Sequence, residues 1–280
     1  MTTRIRVAHS PDSDDAFMFY ALAAGKIDTG DLEYVHELQD IESLNRRALK
    51  GELEVTAVSI HAYAYLADRY ALLSSGCSMG DGYGPRLVAK TRRPTDPRAA
   101  LAGRRVAVPG TLTTAYLALR LYQPELEPVV IPFDQIEDAV LRDEVPVGLL
   151  IHEGQLTYAD QGLHLWDDLG AWWQRETGLP LPLGGNVVRR DLGPAIVRQI
   201  GEDLRASIEY ALAERSSALA HAKQYSRGLT DERTDTFVGM YVNHWTVDYG
   251  ERGREAVQLL LDRGHQAGLI PKPVRVEFVG

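Results

Sequence analysis

The stretch Thr91-Arg92-Arg93-Pro94-Thr95-Asp96-Pro97 divides this chain of 280 residues into two units with similar patterning. It is polar and broken by two prolines, which remove backbone donors and restrict the residues before them, as is typical of a linker or domain boundary. A chain of this length is also expected to form two lobes rather than one small core. The sequence therefore predicts a lobe boundary near residue 91.

Before this boundary, strand-like and helix-like patterns alternate. Residues 4–9, 32–37 and 53–59 read as buried strands, and residues 15–24 and 41–49 read as the helices between them. The glycine-rich stretch 76–85 is predicted to be a turn or crossover near the ligand, with neither helix nor strand in it. The order β-α-β-α favours a mostly parallel sheet with helices on both faces.

After the boundary a second α/β unit follows, and then a helical tail. Residues 105–108 and 147–151 read as strands, residues 113–122 as a helix and residues 274–279 as a last strand. Apolar residues then recur every fourth position along one helix face: Ile196, Ile200, Leu204, Ile208 and Leu212. A helical tail after two α/β units indicates that the chain returns to cover the first lobe.

Composition excludes several classes of protein. The net charge of -9, without a basic stripe, argues against a nucleic-acid partner. No apolar run approaches the roughly 18 residues of a membrane helix, so no membrane span is predicted. The first ten residues lack the features of a signal peptide, and Cys77 is the single cysteine, so we expect a cytoplasmic protein without disulfides.

Strand ends locate the expected ligand site. In open α/β sheets, ligands bind where the carboxyl ends of strands pass into helices. This rule selects the loops at residues 10–15, 59–61, 110–114 and 152–153, and it makes Ser10 and Asp15 candidates for substrate binding. Because the loops come from both units, the sequence predicts a ligand cleft between two α/β lobes.

Two of these loops offer hydrogen-bond donors to an anion. The run Gly110-Thr111-Leu112-Thr113-Thr114 places hydroxyls and free N–H groups at a helix start, where they bind a carboxylate or phosphate, or simply cap the helix. Ser59 likewise either donates to a ligand or caps a helix. Neither a Walker loop nor a dinucleotide fingerprint is present, so no nucleotide cofactor is expected.

Titratable residues at the other strand ends suggest acid–base chemistry. His152, beside Glu153, acts either as a general base through a neutral imidazole or as a structural histidine. Asp12, Asp14 and Asp15 form either a metal cluster or, as we favour, the acidic start of a helix. No histidine spacing indicates a metal. The residues alone thus predict a two-lobed binder or enzyme for a small anion.

Several motifs resemble one enzyme family, the 1,4-dihydroxy-6-naphthoate synthases of the futalosine route to menaquinone. The similarity covers essentially the full length, and the segment from Asp168 to Gly184 is the most specific part of it. The matching segments are His9-Ser10-Pro11, Asp15 to Tyr20, Glu42-Ser43-Leu44-Asn45, Gly84-Pro85, Val106 to Gly110, Thr113 to Tyr116, Ile151-His152-Glu153, Asp168 to Trp173, Thr177 to Gly184 and Tyr241-Val242-Asn243.

The resemblance implies a type 2 periplasmic-binding-protein-like fold. Its larger lobe would comprise residues 1–90 and 185–280, and its smaller lobe residues 91–184. It implies a carbon–carbon lyase, with neither cofactor nor metal, that converts cyclic dehypoxanthine futalosine to 1,4-dihydroxy-6-naphthoate and releases a dihydroxyacetone unit. The family's base matches His152. Its contacts to a small anionic carboxylate match Ser59, Thr113 and Thr114, with Ala57 and Val58 along one wall.

The chain departs from the family in two places. Many members read Ser-Pro-Cys-Pro-Asn-Asp where this chain has residues 10–15, and some have a lysine at the position of Ala57. Two alternatives therefore stay open: the related chorismate dehydratase, and a non-catalytic solute-binding protein for small anions. A homodimer also stays open.

Overall fold

Two β-sheets organise the chain in the computed structural model, which describes residues 2–280. In chain order the strands are β1 (Thr3–His9), β2 (Leu32–Leu38), β3 (Val55–Ser59), β4 (Tyr70–Leu73), β5 (Ser78–Gly80), β6 (Arg86–Ala89), β7 (Arg105–Val108), β8 (Glu127–Val130), β9 (Val147–Leu150), β10 (His164–Asp168), β11 (Leu181–Arg189) and β12 (Phe278–Val279). The first sheet has the order β12-β4-β11-β3-β1-β2, with β5 paired to β11, and the second has the order β10-β6-β9-β7-β8.

Helices cover both sheets. They are α1 (Ser13–Met18), α2 (Tyr20–Ala23), α3 (Ile41–Lys50), α4 (Ile60–Tyr63), α5 (Pro97–Ala100), α6 (Thr114–Tyr122), α7 (Ile136–Leu141), α8 (Gly154–Thr157), α9 (Leu169–Thr177), α10 (Pro194–Ala213), α11 (Arg215–Ala222), α12 (Asp231–Tyr241), α13 (His244–Val247) and α14 (Gly250–Gln266). Short 3-10 turns lie at Phe133–Gln135, Arg190–Leu192 and Lys223–Tyr225. The predicted two-lobed α/β fold is confirmed.

Local sequence explains where the helices near the ligand site begin and end. The Asp40 carboxylate accepts a hydrogen bond from the Ser43 N–H at the start of α3, and Gly51 ends that helix in a left-handed conformation. In α10, the buried residues Ile200, Leu204 and Ile208 continue the predicted apolar face. These side chains pack in one core with Ile5 and Val7 of β1, so the helical tail covers the first sheet.

Strand direction differs between the parts of each sheet. β1 runs parallel to β2 and β3, and β7 runs parallel to β8 and β9, as the β-α-β order predicts. β11 instead runs antiparallel between β3 and β4, and β6 runs antiparallel to β9. The carboxyl ends of β1 and β3 therefore lie together and face those of the second sheet.

The chain crosses between the sheets twice, after Gly80 and after Asp168. The two crossings touch each other. Gly170 lies so close to the Tyr83 carbonyl group that a Cβ atom at this position would collide with it. β6 thus lies in the second sheet and β11 in the first. The domain ranges given above, with their boundaries at residues 90 and 184, stay a prediction.

Two expectations for single strands were wrong. The stretch 76–85 contains β5, which pairs with Leu181–Gly184 of β11, so it is not free of regular structure. The last strand covers only Phe278–Val279 rather than residues 274–279. Among residues 2–280, no helix combines the length and the apolar character needed to cross a membrane.

Candidate active site

An open cleft of about 820 Å³, including the space at its mouth, lies between the two sheets. The residues that line it are Ser10, Asp12, Asp14, Asp15, Ile41, Ala57, Val58, Ser59, Gly76, Ser78, Pro85, Thr113, Thr114, Ala115, Ile151, Gln155, Leu183, Gly184, Gly185, Asn186, Phe237 and Tyr241. Three of the four predicted loops thus contribute residues, from both lobes.

The start of α6 offers backbone donors to this cleft. The N–H groups of Thr114 and Ala115, the first two of the helix, have no hydrogen-bond partner within residues 2–280. Both residues line the cleft, where the positive end of the helix dipole favours an anion. The neighbouring Leu112 N–H already donates to Glu42 Oε2 at 3.2 Å. Among the residues that line the cleft, the free donors of this loop are therefore those of Thr114 and Ala115.

The hydroxyls of Thr113 and Thr114 are engaged within the protein. Thr113 Oγ1 accepts from the Tyr116 N–H at 3.2 Å and donates to the Gly110 carbonyl at 2.9 Å. Thr114 Oγ1 accepts from the His61 N–H at 3.1 Å and donates to the Leu183 carbonyl at 2.6 Å. Each hydroxyl has therefore used its only proton, and neither is left to donate to a ligand.

Ser59 shows the opposite pattern. It precedes α4, yet its side chain makes no capping bond there. Its Oγ accepts a hydrogen bond from Asn45 Nδ2 at 3.1 Å, and its hydroxyl proton has no acceptor in the part of the chain that the structure describes. Because Ser59 is buried and lines the cleft, its hydroxyl is a donor available to a ligand.

The first loop brings three acidic residues to the cleft wall. Asp15 Oδ2 accepts from the Ser10 N–H at 2.8 Å, and Ser10 Oγ donates to Asp12. Burial raises the pKa of Asp15, the bond from the Ser10 N–H opposes this rise and the negative charge of Asp12 adds to it, so that the pKa is about 7. Burial also raises the pKa of Asp14, with the charges of its acidic neighbours. Asp15 therefore holds the loop through its hydrogen bond from Ser10. Asp14 lines the cleft with a carboxyl group that is protonated more readily than usual.

The His152 side chain lies outside this cleft, in a neighbouring pocket. Its Nε2 is 3.7 Å from Glu137 Oε2, and its ring meets the Phe133 ring edge-on at a centroid distance of 5.4 Å. Nδ1 is buried and has no hydrogen-bond partner anywhere in residues 2–280. Burial lowers the pKa of His152 to about 4, opposed by Asp12 and helped by the charge of Arg227. The imidazole is thus neutral at pH 7.

The backbone on either side of His152 nevertheless borders the cleft. Ile151 and Gln155 both line it, and Gln155 Oε1 accepts a hydrogen bond from the Tyr241 hydroxyl at 2.9 Å. Glu153 turns toward the first lobe, where Ser13 Oγ donates to its Oε1 at 3.3 Å. The segment 151–155 therefore separates the cleft from the pocket that holds His152.

Arg227 connects this segment to the first loop. Its guanidinium lies 2.6 Å from Asp12 Oδ1 and 2.7 Å from Glu153 Oε2, and 4.8 Å from the centre of the Phe133 ring. Burial and the Arg227 charge oppose each other at Glu153, and burial dominates, so the pKa of Glu153 is raised. One cation thus joins carboxylates of the two lobes at the rim of the cleft.

Sequence reasoning missed Asn45 and Arg227 as site residues. Asn45 carried a signal, since it follows Ile41 by four positions and so falls on the buried face of α3, where a polar residue needs a partner. Arg227 carried none, because it lies in an irregular segment with a positive φ of 47°. Its partners are distant in sequence.

Comparisons with known proteins agree with the fold and the cleft. A family profile described as menaquinone biosynthesis matches residues 5–266. The 1,4-dihydroxy-6-naphthoate synthase of Thermus thermophilus is 44% identical over 276 residues, which are 98% of this chain and 99% of that protein. A crystal structure of a protein from Archaeoglobus fulgidus is 50% identical, with a TM-score of 0.91 over 95% of this chain and 98% of that one.

More distant structures share only the architecture. The alkanesulfonate-binding protein of Xanthomonas axonopodis has a TM-score of 0.71 at 14% identity, over 99% of this chain and 97% of that one. This likeness confirms the periplasmic-binding-protein fold that the resemblance implied. With a profile match over most of its length and a relative at 44% identity, the chain belongs to the menaquinone-biosynthesis family.

Proposed function

We propose that this protein is a 1,4-dihydroxy-6-naphthoate synthase that cleaves a carbon–carbon bond of cyclic dehypoxanthine futalosine. The observation that carries the proposal is the combination of the full-length similarity to the Thermus enzyme with a cleft whose unpaired donors suit a carboxylate. The product named in that relative's activity carries one carboxylate, and a matching anion site is what the enzyme needs.

The proposed carboxylate site consists of three donors. The N–H groups of Thr114 and Ala115 and the hydroxyl of Ser59 have no acceptor among the described residues, and all three residues line the cleft. Three donors without a competing acceptor favour an anionic oxygen over a neutral group. In this proposal Thr113 and Thr114 act through the backbone they shape rather than through their hydroxyls, while Ala57 and Val58 form an apolar wall.

We propose His152 as the general base that removes a proton from the sugar portion of the substrate. Its low pKa keeps the imidazole unprotonated at neutral pH, and its buried Nδ1 makes no hydrogen bond to any of residues 2–280. The ring must turn from Glu137 toward the cleft, which closure of the lobes on the substrate would bring about. Carbon–carbon cleavage then forms an aromatic ring and releases the dihydroxyacetone unit.

The first experiment follows product formation by mass and absorbance after metal-stripped protein is mixed with cyclic dehypoxanthine futalosine. We expect product without added metal or cofactor. Chorismate offered in parallel should not lose water, since that outcome would identify a dehydratase instead. A folded protein that binds the substrate without converting it would contradict the lyase and indicate a solute-binding protein.

Replacing the proposed base tests its role. We expect His152→Ala to lower kcat by about 10² to 10⁴ while the protein stays folded, because a general base contributes about that factor. The matched control is His164→Ala, at an exposed position of β10 in the same lobe, which should retain full activity. Near-normal turnover by folded His152→Ala would remove His152 from the mechanism.

A further inference from the structure

The side chain of Asn45 lies directly beneath Ser59 and makes two hydrogen bonds to that residue. Asn45 Oδ1 accepts from the Ser59 N–H at 2.9 Å, and Asn45 Nδ2 donates to Ser59 Oγ at 3.1 Å. Asn45 is fully buried on α3 and does not line the cleft. Its contribution to the site must therefore pass through Ser59.

The direction of these two bonds is fixed by chemistry. A backbone N–H can only donate, so the amide atom that faces the Ser59 nitrogen must be the oxygen of Asn45. The amide nitrogen then faces Ser59 Oγ, and Oγ must act as the acceptor of that bond. The Ser59 hydroxyl proton consequently points away from Asn45, and because the described residues offer it no acceptor, it is free to donate to a ligand in the cleft.

The cleft receives this proton beside other donors. The N–H groups of Thr114 and Ala115 start α6, which lies near the end of β3 because Thr114 Oγ1 accepts from the His61 N–H at 3.1 Å, and the described residues provide no acceptor for them. A serine hydroxyl has one proton and two lone pairs, and here Asn45 occupies one lone pair while the proton stays free for a ligand. Such a site favours an anionic oxygen, which accepts from all three donors, over a ligand N–H group, which can only donate.

We propose that Asn45 is a positioning residue that keeps the Ser59 hydroxyl proton free to donate to the carboxylate of the ligand. The inference rests on the function proposed above for the carboxylate, and it adds a residue that never touches the ligand. A side chain of α3 that is buried behind the cleft wall would thereby contribute to the selectivity for a carboxylate.

The decisive variant is Asn45→Asp, tested by titration with 1,4-dihydroxy-6-naphthoate. The carboxylate introduced by this substitution offers only acceptors when ionised, so the Ser59 proton turns away from the cleft and Ser59 presents lone pairs to the ligand. We expect the dissociation constant to rise by about 10- to 100-fold at pH 8. Because the position is fully buried, the pKa of the introduced carboxyl group should be raised, so that lowering the pH protonates it and lets it donate as the amide does. The affinity should then recover toward that of the wild type.

Two controls separate this role from a purely structural one. 1,4-Dihydroxynaphthalene, which lacks the carboxylate, should bind the wild type and Asn45→Asp equally well. Ser59→Ala should weaken naphthoate binding by about tenfold, and adding Asn45→Asp to it should change the affinity by less than about threefold. Thermal unfolding of each variant shows whether it is folded.

The outcomes are distinct for the two proposals. If the wild type does not bind the naphthoate, the proposed function fails, and this inference fails with it. If the wild type binds the naphthoate but Asn45→Asp has the same affinity for it, only the role of Asn45 is overturned. The same holds if Asn45→Asp lowers the affinity of Ser59→Ala as much as it lowers that of the wild type. Should Asn45→Asp not fold, Ser59→Ala alone decides, because unchanged affinity in that variant shows that Ser59 does not donate.

Discussion

At the scale of single residues, hydrogen-bond direction decides which hydroxyls can reach a ligand. Thr113, Thr114 and Ser59 all lie at the cleft, and by residue type they are equivalent donors. The two threonine hydroxyls donate to the carbonyls of Gly110 and Leu183. Ser59 Oγ instead accepts a bond from Asn45, and its proton stays free. The capacity of a site to bind an anion is therefore a property of the neighbours of its hydroxyls.

The sequence located most of these residues but not their orientation. The rule that ligands bind at strand ends brought Ser10, Asp15, Ser59 and Thr114 to one cleft, since strand ends follow from local patterning. The direction of His152 depends instead on contacts with Glu137 and Phe133, which lie well before it in sequence. Contacts of this kind are not visible in a single sequence.

The buried imidazole of His152 predicts a pH-dependent stability. Its pKa is lowered to about 4 in the folded protein, so the unfolded chain binds an additional proton as the pH falls below about 6.5. Its contribution to stability is complete above that pH and is lost progressively toward pH 4. Relative to His152→Gln, the wild type should lose about 2 kcal/mol of unfolding free energy between pH 8 and pH 5.

Urea unfolding at both pH values measures this difference. His164→Gln, at an exposed site, serves as the control and should follow the wild type at each pH. If His152→Gln and the wild type lose stability in parallel, the imidazole is not held neutral by its surroundings.

At the scale of elements, strongly periodic segments were predicted well. β1, α3, α6 and α10 follow from alternation, from the four-residue repeat and from their caps. β11 was missed because it contains Pro182, Gly184 and Gly185, residues with low strand propensity, and is held in place by β3 and β4. Pairing partners on both sides override weak local preference.

The cap at the start of α6 should contribute to the stability of the protein. Thr113 caps the helix through its hydroxyl, so Thr113→Ala should lower the unfolding free energy by about 1 kcal/mol, while Thr113→Ser should be nearly neutral. Chemical denaturation measures both. If the hydroxyl contacted substrate directly, Thr113→Ala would instead raise KM strongly without loss of stability.

At the scale of the whole molecule, Arg227 is a cation shared by the two lobes. It precedes α12, which packs against α1 and β5 of the first lobe, and it reaches Glu153 beside β9 of the second. In Arg227→Met, the carboxylates of Asp12 and Glu153 would face each other without a counter-charge. We expect a loss of about 1 to 3 kcal/mol in unfolding free energy and a larger radius of gyration by solution scattering.

A second ion pair between the lobes is the matched control. Arg233 lies 2.5 Å from Asp160, and both side chains are exposed, so Arg233→Met should leave the unfolding free energy and the radius of gyration nearly unchanged. Equal effects from the two substitutions would show that Arg227 has no special part in holding the lobes together.

The position of β11 also determines which sheet can be completed first during synthesis. The strands of the second sheet lie between residues 86 and 168, whereas the first sheet needs β11 between β3 and β4. A chain emerging from the ribosome can complete the second sheet while the centre of the first still lacks a strand. Although domains usually fold from the amino terminus onward, here the lobe whose synthesis begins first is the one that finishes last.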